Sequence, residues 1–157
     1  MGVTTFAAIY VGSYEVSLKV FEISEKRKIR TVDFIRSRVE LGKDVFPGGG
    51  VGYELVDDIC DVLLEFCGIM DGYRVDAYEA YAGPALYHAA NCLFVLDQIE
   101  RRTGIRLKLL RNSEHRFLSY KCATSKPEFD RMTGESAAFV NVGGGELQIT
   151  LFVHGAV

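Results

Sequence analysis

Two short segments, about 130 residues apart, repeat one pattern, and that repetition limits what the chain can fold into. Ile9-Tyr10-Val11-Gly12-Ser13 is followed by Val16-Ser17-Leu18-Lys19-Val20. Val140-Asn141-Val142-Gly143-Gly144-Gly145 is followed by Leu147-Gln148-Ile149-Thr150-Leu151. Each reads as an apolar strand, a turn of small residues and a returning strand. A turn without side chains lets backbone N–H groups come close to anionic oxygens and forms a concavity for them. One such hairpin is also what an ordinary turn looks like. Two in matching order predict a duplicated fold with a phosphate cleft, one hairpin opening each half of that fold. The candidate phosphate-binding residues are Gly12, Ser13, Gly143, Gly144 and Gly145.

The intervening sequence supplies the remaining elements. Residues 6–11 predict a buried strand, 16–22 a half-exposed one, and 29–39 a third, with the charged tip at residues 25–28 between the last two. This is an antiparallel meander. Pro47-Gly48-Gly49-Gly50 predicts a loop. Apolar residues at Leu55, Val56, Ile59, Cys60, Leu63, Leu64 and Cys67 keep a three-four spacing, so 53–67 predicts an amphipathic helix. A strand over 75–82 follows, then a helix opened by Pro84 and a longer one over 91–102 closed by Gly104. A strand over 105–110 leads to a helix capped by Asn112 and reaching residue 124. Beyond a polar connector, 137–142 and 147–153 form the second hairpin. The fold class is mixed α/β.

Composition excludes several functions. A net charge of −3 over 157 residues argues against nucleic-acid binding. The basic clusters at 26–30 and 101–111 read as a solvated hairpin tip and a solvated helix end. No apolar run approaches the roughly 20 residues of a membrane span, and the first residues lack the charge and apolar stretch of a signal peptide. Cys60, Cys67, Cys92 and Cys122 lack zinc-site spacing and read as free thiols of a cytoplasmic protein. His88, His115 and His154 form no metal pair and no nucleophile–base arrangement.

Four landmarks arrive in an order that resembles the exopolyphosphatase and guanosine pentaphosphate phosphatase (Ppx/GppA) family. They are Ala7-Ala8-Ile9-Tyr10-Val11-Gly12-Ser13, similar to its first phosphate loop, and Arg38-Val39-Glu40-Leu41-Gly42, similar to its Arg-Leu-Gly segment. Thr103-Gly104-Ile105 with Asn112-Ser113-Glu114-His115-Arg116 resembles its acidic helix start, and Val140-Asn141-Val142-Gly143-Gly144-Gly145 its second phosphate loop. The resemblance implies an actin-like ATPase (ribonuclease H-like) fold and hydrolysis of phosphoanhydrides assisted by a divalent cation, with magnesium the cation if the domain is active. It also implies Glu114 as a vestigial general base, supported by Arg116. Where the family carries acidic residues, this sequence has Tyr10, Asn141 and Gln148; where it carries Thr and Arg, Gly83 and Tyr87 stand.

These departures remove the negative charge that holds a hard cation, and losing the cation removes several kcal/mol of transition-state stabilisation. Glu15 and Glu146 bring charge into the loops, but charge that repels phosphate. Glu114 reads equally as an acid favoured by a helix N-terminus. His115 reads either as an exposed helix residue or as a filler of the old substrate space.

The expected organisation is a first actin-like domain at 1–124, a connector at 125–135, and the opening hairpin of a truncated second domain at 136–157. A bare hairpin is marginal in water and presents edges, so it is expected to fold back or to pair across a homodimer through 137–153. The reading implied is a catalytically impaired pseudoenzyme that binds polyphosphate, a guanosine nucleotide or a protein partner, without contact with membrane or nucleic acid. Two alternatives stand beside it. One is an active exopolyphosphatase or guanosine pentaphosphate phosphohydrolase when the second domain is present. The other is an interaction domain that uses the hairpin edge and the 53–67 helix.

Overall fold

The alternation of β1 (Val3–Val11) and β2 (Glu15–Ser24) sets the core. Their antiparallel register pairs Ile9 with Leu18 and Val11 with Val16, so these aliphatic side chains share one face of the sheet. Ala7, Ile9, Val11, Val16, Leu18 and Val20 are all buried there. In this computed structural model the described residues are 3–26, 28–125, 129, 136–143 and 147–153. β3 (Ile29–Arg38) completes the meander, and β4 (Ala77–Ala82) joins β1 from the other side in parallel, with Ile9 beside Ala80. With β5 (Lys108–Leu109) the strand order is β3-β2-β1-β4-β5.

Helices cover the apolar face. In α2 (Tyr53–Gly72), Val56, Ile59, Cys60, Leu63, Phe66 and Met70 are buried, and α4 (Cys92–Thr103) adds Val95 and Ile99. These side chains and the strand residues form one cluster. Full burial of each large aliphatic or aromatic side chain contributes about 1.5–3 kcal/mol. Gly104, at φ 74°, ends α4 in the left-handed conformation, and its N–H donates to the Glu100 carbonyl. All four cysteines are free, and burial pushes the Cys60, Cys67 and Cys92 thiols up.

The structure departs from the expected elements in four places. A helix, α1 (Leu41–Gly48), occupies part of the predicted loop. Leu41 and Val45, one turn apart, are both buried, and that short apolar stripe outweighs Pro47 in the last turn. α2 continues to Gly72, since Met70 extends the buried face past Cys67. β5 shrinks to two residues because Ile105, Leu107 and Leu110 are buried by packing rather than by strand pairing. Arg111, not Asn112, caps α5 (Asn112–Thr124), and Pro84 opens α3 (Pro84–His88) as its position suggested.

The second hairpin, β6 (Ala137–Val142) with β7 (Leu147–Phe152), is a separate two-stranded sheet. One face folds back towards α5: Phe152 is buried, stacks on Tyr120 at 6.1 Å and meets the edge of Phe129 at 5.2 Å. The opposite face, which includes Val140, Ile149 and Leu151, is exposed.

Candidate functional site

The turn between β1 and β2 is tied to the chain that follows β3. Gly12 N–H donates to the Glu15 carbonyl at 2.9 Å, closing the turn on itself. Gly42 N–H donates to the Ser13 carbonyl at 2.7 Å, and Val39 N–H to the Tyr14 carbonyl at 3.2 Å. Arg38 lies over the Tyr14 ring at 5.1 Å and bonds the Glu40 carboxylate at 2.6 Å. Lys43 reaches the same carboxylate. The bonds from Lys43 and then Arg38 hold the Glu40 carboxyl below its usual range, and Glu40 in turn raises the Arg38 guanidinium. The arginine nearest the turn is thus already neutralised.

Tyr10, the β1–β2 turn, His115 of α5, and Asn141, Val142 and Gly143 at the end of β6 line one cavity of about 300 Å³. Tyr10 Oη and His115 Nε2 are 3.0 Å apart in a partly buried hydrogen bond, and the rings lie nearly parallel, with centroids 5.9 Å apart. His115 therefore reaches into the cleft, and the reading that left it on an exposed helix face is corrected. A glycine at position 83 fits the same packing. A Cβ built at Gly83 would meet Tyr10 Oη at 2.3 Å and Cζ at 3.1 Å, so the tyrosine occupies the space a side chain would take. Gly83 N–H donates to the Val11 carbonyl at 2.9 Å, which holds the two segments together.

Of the candidate residues, Gly12, Ser13 and Gly143 come together here, with Asn141 and Glu15. Gly144, Gly145, Glu146 and His154 lie outside the described residues. Glu114 lines a different groove, with Tyr81, Ser113 and Phe117, and its carboxylate accepts the Arg111 N–H at 2.8 Å. That is half of a capping box. The guanidinium of Arg111 has no acceptor with which to return the bond. Arg116 is exposed, and Tyr87 packs edge-on against His88.

Gln148 sits directly opposite Asn141, on the covered face of the hairpin, and is 8% exposed. Its Nε2 lies 3.5 Å from Thr150 Oγ1, while Oε1 has no hydrogen-bond partner among the described residues. A buried acceptor left unpaired costs about 1–3 kcal/mol. Gln148→Met keeps the volume and removes the amide, so we expect urea unfolding to show a gain of about 1 kcal/mol. A loss would show that the amide is satisfied in solution.

Apart from Glu15, the described side chains lining the cleft offer hydroxyl, imidazole and amide groups. Glu15 is the one carboxylate among the cavity's described lining residues, and Arg36 approaches it at 4.0 Å. Hard cations take several anionic oxygens, and the described residues hold no cluster of three or more His, Cys, Asp or Glu suited to a metal. The donors among the described residues do not fit magnesium. The bond between Tyr10 and His115 was not legible in the sequence. The one signal was that two ring side chains, at positions 10 and 115, replace smaller groups the resemblance implies there.

No protein-family model and no curated protein matches the sequence. Solved structures do. An exopolyphosphatase from Cytophaga hutchinsonii aligns with a TM-score of 0.85 at 20% identity, covering 96% of this chain and 47% of that one. A Ppx/GppA family member from Aquifex aeolicus aligns at 0.72 and 19% identity, covering 98% and 52%. The ethanolamine utilization protein EutJ from Carboxydothermus hydrogenoformans aligns at 0.50 and 14% identity, covering 99% and 49%. The chain thus spans about half the length of these structures. Their likeness shows the fold, which is the actin-like α/β fold that the family resemblance implied. No helix among the described residues is long and apolar enough to cross a membrane.

Proposed function

We propose that this chain is a Ppx/GppA-type domain that no longer hydrolyses phosphoanhydrides and works by binding. The observation that carries this is the Tyr10–His115 pair, which puts two hydrogen-bonded rings into the wall of the cleft between the two glycine turns. Phosphoryl transfer depends on positioning and on neutralising charge as it spreads over phosphate oxygens. In this cleft an aromatic pair forms part of the wall, the Gly12 N–H is used within the turn, and Arg38 is paired with Glu40. The Glu15 carboxylate adds repulsion for an anion. Glu114, the base that the resemblance implies, caps α5 outside the cavity.

Phosphate release from polyphosphate and from guanosine pentaphosphate, with magnesium present, tests the reading. We expect none above that of a Glu114→Gln control. Release by this chain that disappears in Glu114→Gln would make it a hydrolase and sink the proposal. Binding is measured separately by titrating polyphosphate into the protein. Weak, salt-sensitive association is the expected result, because the cleft keeps small loop residues but has no lysine or arginine among its described lining residues.

A further inference from the structure

Among the described ion pairs, one carboxylate is shared by two cations. Arg38 Nη2 lies 2.6 Å from Glu40 Oε1, and Lys43 bonds the other oxygen, Oε2. Glu40 is also the least exposed acid of these pairs, its side chain 23% exposed against 36–61% for the others. The cluster is built onto the β1–β2 turn. Val39 and Gly42 donate to the carbonyls of Tyr14 and Ser13, and Leu41 between them is buried. The Arg38 guanidinium lies over the Tyr14 ring, and Tyr14 lines the cleft. Two cations thus converge, at the margin of the cleft, on a point that the chain's own carboxylate fills.

We infer that Arg38 and Lys43 form an oxyanion site for a phosphoryl group, and that Glu40 occupies it as an internal competitor. This deepens the binding reading of the cleft and rests on it. A carboxylate brings one charge and two oxygens to the two cations. A phosphoryl group brings about −1.5 to −2 and three acceptor oxygens, which the arginine fork and the lysine ammonium are suited to meet. Exposed ion pairs of this kind are weak and screened by salt, so a multiply charged anion can displace Glu40. Because Glu40 stands two residues after Arg38 and three before Lys43, its carboxylate is always at hand. Singly charged anions lose to it, and the site selects by charge. Glu40 makes no side-chain bond to the α1 N-terminus, so its replacement uncaps no helix.

Calorimetric titration of the intact chain at low ionic strength, with tripolyphosphate and separately with inorganic phosphate, tests this. Glu40→Gln keeps the size and removes the charge, and it is expected to tighten tripolyphosphate about tenfold. Glu40→Ala should behave alike, with circular dichroism as the control for folding. Glu22→Gln takes the same group from Arg30, where no second cation converges, and should change nothing. Adding Arg38→Gln to Glu40→Gln should cancel the gain. A smaller gain for inorganic phosphate points to a chain end as the ligand, and an equal gain to the free ion; either supports the site. Unchanged affinity in both Glu40 variants would overturn the inference. An equal gain in Glu22→Gln would do the same, since net charge alone would then explain it. Phosphate release followed in the same samples bears on the cleft alone. Release abolished by Glu114→Gln would sink the binding reading and leave the Glu40 comparison standing, while unchanged affinity would leave the cleft reading intact.

Discussion

Gly83→Thr is expected to destabilise the chain by about 3 kcal/mol, combining overpacking with loss of a partly buried hydrogen bond. The new Cβ would fall 2.3 Å from Tyr10 Oη, far inside contact distance, and backbone at Gly83 is fixed by its bond to Val11. Tyr10 must leave its position, and its bond to His115 breaks with it. Tyr10→Ala alone should also destabilise, by removing packing and the bond together. In the double variant Tyr10→Ala/Gly83→Thr the clash is absent, so the two effects should fall short of additive by about 1–3 kcal/mol. Chemical denaturation of the four proteins measures this. Strict additivity would mean that the tyrosine does not lie over Gly83 in solution.

Asn91→Asp is expected to cost about 2–4 kcal/mol, more than Asn91→Ala. Asn91 Oδ1 accepts the Val51 N–H at 2.9 Å, and its Nδ2 donates to the Val51 carbonyl at 2.8 Å. One side chain therefore satisfies both backbone groups of a buried residue in the segment that joins α1 to α2. An aspartate keeps the acceptor but turns a second oxygen on the Val51 carbonyl, placing a partly buried charge against a dipole of the same sign. Loss of one partner leaves a buried group unpaired at about 1–3 kcal/mol, and the charge adds to that. Thermal unfolding at neutral pH, followed by the same measurement near pH 3 where the carboxyl is protonated, separates the two contributions. Equal stability for the alanine and aspartate variants at neutral pH would remove the charge from the account.

Much of the fold was legible because its signals are local. The strand alternation of Val16, Leu18 and Val20, the three-four stripe from Val56 to Leu63, Pro84 at a helix start and Gly104 at a helix end each appear in the structure near their predicted place. The missed α1 shows the limit. Eight residues give room for only one repeat of the apolar period, and a proline with three glycines carried the stronger local signal. The cleft was legible in its outline, through Gly12, Ser13 and Gly143, but not in its contents. Tyr10 and His115 are 105 positions apart, and their bond depends on how α5 sits against the sheet. For Glu114 the sequence offered a cap or a base, and the cap is the role with a contact in the structure, 2.8 Å to the Arg111 backbone N–H.

The contrast between the two sheet margins has a consequence for how the molecule behaves at high concentration. β3, the outer strand of the meander, carries Arg30, Asp33, Arg36 and Arg38, charges that discourage another chain from adding to its edge. Residues 147–153 read Leu-Gln-Ile-Thr-Leu-Phe-Val, without charge or proline, and β7 pairs only with β6 among the described strands. Short uncharged segments of high β-propensity are the kind that stack into cross-β fibrils. The segment with the least charge is thus also the one from which aggregation would start.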